Sequence, residues 1–441
     1  MPSGDTIAAI ATPPGKGGVG VVRISGPGVR QMMPGLLGRP IDPRQATLCR
    51  FHDEKGRVID FGLALFFEGP RSFTGEDVLE LQGHGGQVVL GMVLSRCLEL
   101  GASIAEPGEF TRRAFLNDKI DLAQAESVAD LIDAATQGAA RSAIRSLSGE
   151  FSRRVHELVD GLIELRMLVE ATLDFPEEEI DFLEAIDAYK KLEGILDRLE
   201  SVLESARQGS LLRSGIHVVF AGQPNVGKSS LLNRLSGEEV AIVTDIPGTT
   251  RDAIRQFLEV EGFPIHVVDT AGLRQSEDPV ERIGMARTRE AIEKSDLILY
   301  IADSAKGIDE EDRKILESLP DLPVQIVLNK ADLSNSAFGL LETGEVSISA
   351  KTGEGVDALK KRLLDLLSLH EPGENQFIAR QRHVSALREA KEAIECAGTS
   401  AGVEIFAEDL RRAQVSLSRI TGEFSPDDLL GEIFSRFCIG K

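Results

Sequence analysis

Residues 222–230 read Gly-Gln-Pro-Asn-Val-Gly-Lys-Ser-Ser. Two glycines spaced in this way let the backbone turn its N–H groups toward one point, the lysine brings a compact cation there, and the hydroxyl beside it is placed for a divalent metal. The chemistry is that of a polyphosphate cradle. Lys228 is expected to reach the β- and γ-phosphates and Ser229 to meet Mg2+, with Gly222 and Gly227 making the turn. Such a loop must follow a strand and open a helix, whose N-terminus adds favourable partial charge. The run IHVVFA before it has the apolar character of a strand, and SSLLNRL after it has helical patterning.

Further residues of the same chemistry follow in order. GTTRD, from Gly248 and Thr249 onward, puts the hydroxyl of Thr250 where a second ligand to Mg2+ is wanted. DTAG places Asp269 at the end of an apolar run, suited to the metal shell, followed by Thr270, Ala271 and Gly272, the last of which can meet a γ-phosphate through its backbone. NKAD, Asn329-Lys330-Ala331-Asp332, also ends an apolar run. The Asp332 carboxylate can accept two hydrogen bonds from the N1–H and 2-amino group of guanine, a donor pair that adenine lacks, so GTP is expected over ATP. Ser349-Ala350-Lys351 after EVSIS would add a backbone contact to the base. With Asn225, Val226, Gly227, Lys228, Ser229 and Ser230, these stretches form one nucleotide site.

Two positions bear on hydrolysis. Leu273 follows DTAG, where a water-orienting glutamine is usual, and leucine cannot position water. Glu281 in DPVERIG lies close behind, either as a surface carboxylate on a helix or as the group that orients the water. Asn225, inside the phosphate loop, can offer its carbonyl oxygen to a monovalent cation, supplying charge where an arginine finger would otherwise act.

The chain closes on FSRFCIGK. Cys438, four residues from the end, has the position of a prenylated cysteine, but Gly440 and Lys441 do not fit the C-a-a-X pattern and the preceding SPDDLLGEIF is acidic. Ser425, Pro426, Asp427 and Asp428 read as a helix start. Leu429, Leu430, Ile433, Phe434 and Phe437 then share one face, and the helix is expected to end around Cys438 with Gly440 in a left-handed cap. A helix C-terminus disfavours a thiolate, so local structure does not activate Cys438.

The elements that carry these residues fall into four stretches. Residues 1–118 read as mixed α/β, 119–210 as helical, 211–370 as strands alternating with helices, and 371–441 as helical again. The pattern is a parallel-sheet α/β domain inserted into a helical one. The 441 residues include 49 Lys+Arg against 71 Asp+Glu, a net charge of −22 that disfavours non-specific binding to nucleic acid or membranes. The four cysteines have no paired spacing and suit a reducing cytosol. Neither a signal peptide nor a membrane span is expected, which points to a cytoplasmic protein.

With these residues in view the chain resembles the MnmE (TrmE) family of tRNA-modification GTPases. The resemblance rests on DTIAAIATPPGKGGVGVVRISG, on PGEFTRRAFLNDKIDLAQAESVADLI, on GTTRD and DTAGLR, and on SPDDLLGEIFSRFCIGK. It implies an N-terminal α+β domain of tetrahydrofolate-binding type that dimerises, a helical domain, and an inserted Ras-like GTPase domain. It implies K+-stimulated GTP hydrolysis and, with an FAD-dependent partner in a heterotetramer, addition of a folate-derived aminomethyl or carboxymethylaminomethyl group at carbon 5 of the tRNA wobble uridine. The folate, a 5-formyl- or methylene-tetrahydrofolate, would be held by Arg23, Glu80, Lys119 and Lys441. K+ would sit on Asn225 and Thr249 with backbone oxygens of Thr244 and Ile246, and Mg2+ on Ser229 and Thr250. The loop Thr244-Asp245-Ile246-Pro247 joins the nucleotide site, Glu281 orients the water, and Cys438 acts in modification. PPGKGGVG lacks a Lys-Ser/Thr pair and precedes a strand, so it reads as a structural or folate-side loop. The alternative of another class is a ribosome-assembly GTPase, which would need an RNA-binding module that the sequence does not display.

Overall fold

The computed structural model of the chain describes residues 4–173, 187–238, 255–269, 295–320, 322–334, 336–367, 369, 376–400, 402–423, 427–435, 437 and 440. The chain divides into two compact units, one of Met1–Ala129, Leu147–Leu196 and Glu389–Lys441, the other of Asp130–Ser146 and Asp197–Arg388.

The first unit begins with β1 (Ile7–Ile10), β2 (Gly17–Ser25), α1 (Val29–Leu37), β3 (Thr47–His52), β4 (Val58–Phe67), β5 (Val78–Gly85), α2 (Gln87–Glu99), β6 (Ser103–Ile104) and α3 (Glu109–Leu116). The strands form one sheet in the order β3-β4-β5-β2-β1-β6. Its pairings are antiparallel except that of β1 with β6. Alternation along the strands sends Val22, Ile24, Leu79, Leu81, Phe51 and Phe66 to one face, where they pack with Met32, Met33 and Leu36 of α1 and Leu90, Val93 and Cys97 of α2. Burial of each such side chain contributes about 1.5–3 kcal/mol. Arg23 and Glu80 belong to the other set and lie directly opposite each other in the β2–β5 register. Ala9 pairs with Arg23 on that side, and Ile7, Ala9, Ala105 and Phe110 form a small apolar cluster there.

Strand β2 starts at Gly17, inside the stretch read from sequence as a loop. The cause is tertiary. Gly17 pairs with Gly85, and a Cβ on Gly85 would stand 2.5 Å from the Gly17 carbonyl oxygen, so only glycine lets the two backbones meet.

Helices α4 (Leu122–Ile132), α5 (Gln137–Leu147), α6 (Glu150–Leu173) and α7 (Ala188–Ser214) follow. Next come β7 (Ile216–Ala221), α8 (Lys228–Glu238), β8 (Arg255–Val260), β9 (Phe263–Asp269), β10 (Leu297–Asp303), α9 (Glu310–Glu317), β11 (Val324–Asn329), α10 (Ala331–Ser334), β12 (Gly339–Leu340), β13 (Val346–Ser347) and α11 (Val356–Leu366). These strands make a second sheet in the order β12-β13-β11-β10-β7-β9-β8. Its interior is parallel, and β12 and β8 run antiparallel to their neighbours. A parallel sheet covered on both faces needs continuous apolar strands, and Leu297–Ala302 is buried throughout. Ligands of such sheets gather beyond the carboxyl ends of the strands.

The chain ends with α12 (Gln381–Thr399), α13 (Val403–Thr421) and α14 (Asp427–Ser435). Helix α13 packs along α6, each with buried residues at three- and four-residue spacing, such as Val155, Leu158, Leu162, Leu165 and Val169 on α6. Helix α14 stops at Ser435, short of the end expected around Cys438. Phe437 instead turns its N–H back to the Phe434 carbonyl, 3.1 Å, and packs with Phe434, Leu122 and Ala125 in one apolar cluster. Ser425, Pro426 and Cys438 lie outside the described residues.

Candidate functional site

The phosphate loop lies between β7 and α8, the helix beginning at Lys228 itself. Gly222 has φ +135°, and a Cβ there would stand 2.1 Å from the carbonyl oxygen of Ile301 on β10. Gly227 has φ +97°, and a Cβ there would stand 2.2 Å from Nδ2 of Asn329. Both glycines are therefore required by close approach as well as by conformation. Asn225 also has a positive φ, +62°, which asparagine tolerates better than most residues. Lys228 curls over the loop and donates from Nζ to the carbonyls of Gly222, 2.7 Å, and Gln223, 3.0 Å. Its ammonium is thereby held above the cradle. Ser229 and Ser230 are exposed on the first turn of α8.

NKAD bridges this loop to the base side. Asn329 ends β11, 2% exposed, donates from Nδ2 to the Val226 carbonyl at 2.9 Å, and accepts the Ala350 N–H on Oδ1 at 3.0 Å. A base carbonyl at Ala350 would share that N–H. Lys330, with φ +64°, donates to Oδ2 of Asp303 at 2.8 Å, and this bond holds the Asp303 carboxyl below the ordinary carboxylate range against the opposing effect of burial. Asp332 lies half-buried in α10. Ala331 is buried, and its N–H donates to the Ile348 carbonyl at 3.0 Å. The Ser349 hydroxyl accepts the Thr352 N–H at 3.1 Å, and Arg234 of α8 donates to the carbonyls of Ala350, 3.1 Å, and Lys351. Residues 225–230, 329–332 and 349–351 are thus linked by short bonds into one constellation.

Sequence reading missed Asp303 and Arg234. Asp303 carried a weak signal, a carboxylate ending the strand before NKAD, whereas nothing local marks Arg234. Thr244 to Thr250, Thr270 to Gly272, Leu273 and Glu281 lie outside the described residues, as does the side chain of Asp269, whose backbone ends β9.

A second polar cluster lies in the N-terminal unit. Arg23 donates from Nε and Nη2 to Oε1 of Glu80, at 3.0 and 2.9 Å, and from Nη1 to the Gly440 carbonyl at 3.3 Å. Its guanidinium carbon lies 5.7 Å from the centre of the Phe110 ring. Gly440, φ +93°, is pressed against the backbone of Ile10 and Ala11, and a Cβ there would lie 2.6 Å from the Ile10 oxygen. The left-handed Gly440 is thereby seated against the first sheet. The Lys119 ammonium donates to the Pro70 carbonyl at 3.0 Å, and its stem lies beside Gly75. The structure brings Arg23, Glu80 and Gly440 together and anchors Lys119 on the loop before β5. Lys441 lies outside the described residues.

Among the described residues no group of three His, Cys, Asp or Glu could hold a metal ion, and no helix is long and apolar enough to cross a membrane.

Residues 6–119 match the family model described as the GTP-binding protein TrmE N-terminus, and residues 122–438 match the MnmE helical domain. The chain is 58% identical over 451 residues to a Nitrosomonas europaea protein named tRNA modification GTPase MnmE, covering 100% of both. Proteins of that name from Neisseria meningitidis serogroup C, over 99% of each chain, and from Thiobacillus denitrificans, over 100% of this chain and 99% of the other, are also 58% identical. A solved structure of Aquifex aeolicus Era bound to GDP·AlF4− is 29% identical over 40% of this chain and 66% of that one, with a TM-score of 0.29.

Proposed function

This chain belongs to the MnmE family of tRNA modification GTPases, and from that premise we propose how its residues divide the work. The protein hydrolyses GTP and acts in tRNA modification. The loop Gly222–Ser230 receives the phosphates with Lys228 at their β/γ end, and Asp332 selects guanine. Ser229 and Thr250 would hold Mg2+, which when bound neutralises charge between the phosphates. Asn225 and Thr249, with the backbone oxygens of Thr244 and Ile246, would hold K+, supplying positive charge where no arginine of this chain is assigned. Glu281 takes the place of the missing glutamine and orients the attacking water. In phosphoryl transfer, charge spreads over the γ-oxygens in a loose transition state, so the chain's own task is positioning and electrostatic stabilisation.

The N-terminal domain, read as residues 1–118, holds the folate through Arg23, Glu80, Lys119 and Lys441 and pairs with its counterpart in a homodimer. The helical domain, 119–210 with 371–441, carries the G domain 211–370. With an FAD-dependent partner, in a heterotetramer in the cytoplasm, the protein adds an aminomethyl or carboxymethylaminomethyl group at carbon 5 of the wobble uridine. The folate supplies the added carbon when bound. Arg23 and Glu80 offer a cation and an acceptor side by side, which fits a ligand with a carboxylate tail and a polar pterin edge.

The observation that supports this reading most is the seat of Gly440. Its carbonyl, 417 positions from Arg23 in sequence, accepts a hydrogen bond from the Arg23 guanidinium. A thermal melt with 5-formyl-tetrahydrofolate tests it. The ligand should raise the melting temperature of the wild type and leave Arg23→Ala unmoved. Equal shifts in both proteins, or none in the wild type, would remove the assignment.

A further inference from the structure

The arc from Gly222 to Asn225 carries a tie that a phosphate loop does not need in order to turn. Gln223 donates its side-chain amide to both carboxylate oxygens of Asp309, 2.8 Å to Oδ1 and 3.0 Å to Oδ2. Asp309 is the N-cap of α9: its Oδ1 accepts the Asp312 N–H at 2.9 Å, and Oδ2 of Asp312 accepts the Asp309 N–H at 3.2 Å. The path continues inward, where the Tyr300 hydroxyl donates to Oδ1 of Asp312 at 2.6 Å. Tyr300 and Asp312 are buried, and Tyr300 lies on β10 beside Ile301, the residue whose carbonyl bears on Gly222. Gln223, Asp309, Asp312 and Tyr300 thus run from the loop to β10, the strand whose Ile301 carbonyl bears on Gly222.

Capping alone does not account for the arrangement. A serine or asparagine would cap α9 about as well as an aspartate, yet here both carboxylate oxygens also take the Gln223 amide. The first turn holds three more acids, Glu310, Glu311 and Asp312, so a further carboxylate brings little to the helix that they do not already supply. The place where the tie acts is set by Lys228, whose ammonium bonds the carbonyls of Gly222 and Gln223. The tied segment is therefore at the end of the loop where that lysine meets the terminal phosphates.

We propose that Asp309 is a positioning residue for GTP hydrolysis, which through the Gln223 amide holds Gly222–Asn225 in the shape that meets the γ-phosphate end of the nucleotide. This rests on residues 222–230 being the phosphate loop. Because the tie acts at the γ end, its loss falls on turnover more than on GDP binding.

The test is a double-mutant cycle on the full chain that exchanges amide and carboxylate, with steady-state GTP turnover and fluorescent-GDP titration read side by side. Gln223→Glu sets a carboxylate against Asp309. Combining it with Asp309→Asn restores one donor and one acceptor in the opposite sense while keeping a good N-cap. Gln223→Glu should lower kcat by about tenfold, or 1.4 kcal/mol of barrier, with GDP affinity changed by less than about threefold. The double variant should return to within about threefold of the wild-type kcat. A double variant as slow as Gln223→Glu, or a Gln223→Glu protein as fast as wild type, overturns the proposal. Should Gln223→Glu fail to fold, Gln223→Met removes the donor without adding charge, and an unchanged kcat there overturns it equally. A wild type that binds no GDP would overturn the phosphate-loop reading itself, and the proposal with it.

Discussion

Asn329→Ala tests whether one buried amide joins the two halves of the nucleotide site. The side chain makes two hydrogen bonds, to the Val226 carbonyl and from the Ala350 N–H, and both of those residues are buried. Truncation strands both backbone groups, at about 1–3 kcal/mol each, or about 2–6 kcal/mol together before any relaxation. It also removes the atom that Gly227 packs on. Water entering the gap will recover part of this, so the lower end of the range is the expectation. We expect the G-domain thermal transition to fall by about 4 °C or more, and GDP affinity to fall by about tenfold or more, since the loop must be reordered on binding. Asn329→Asp keeps the acceptor for Ala350 but turns a carboxylate toward the Val226 carbonyl, and should lose affinity at least as strongly. The assays are calorimetric GDP titration and thermal unfolding with and without GDP. A destabilised variant that binds GDP within about twofold of wild type would show that the amide serves the fold and not the site.

Asp332→Asn should move preference from GTP toward xanthosine triphosphate, and an unchanged GTP affinity in a competition titration would count against the guanine assignment. Replacing K+ by Na+ at matched ionic strength should slow turnover by about tenfold, or 1.4 kcal/mol of barrier, and equal rates would remove the cation from Asn225. Cys438→Ser should leave GTP hydrolysis and folate binding in place and abolish modified uridine in an assay with the FAD-dependent partner. Deleting Gly440 and Lys441 should weaken folate binding, measured by the same thermal shift as for Arg23→Ala, and an undiminished shift would detach the tail from the folate.

The local parts of the site were legible because their chemistry dictates their spacing. Gly222, Gly227, Lys228 and Ser229 announce a strand, a turn and a helix, and β7 and α8 flank them in the structure. The β-rich runs at residues 216–221, 297–302 and 324–329, alternating with helical patterning, announced a parallel sheet with crossover helices. What joins distant segments was not legible. The bond from Asn329 to Val226 spans 103 positions and that from Gln223 to Asp309 spans 86, and an amide or carboxylate in a polar loop carries no mark of its partner. Gly17 to Gly20 read as a loop because glycine has no strand propensity, and only pairing with β5 makes them a strand. The last helix was read on to about Cys438 because its apolar face continues to Phe437, whose N–H instead bonds the Phe434 carbonyl.

In the proposed function, GTP hydrolysis on the 222–230 loop drives transfer of a folate-derived carbon to tRNA. That coupling is tested most directly by supplying methylene-tetrahydrofolate labelled in its one-carbon unit to the protein, its FAD-dependent partner and unmodified tRNA, then digesting the tRNA and weighing the wobble nucleoside. Labelled, modified uridine is expected with GTP and K+, and none with a non-hydrolysable GTP analogue or with Lys228→Ala. Label incorporated equally with the analogue, or a modified uridine without label, would contradict it.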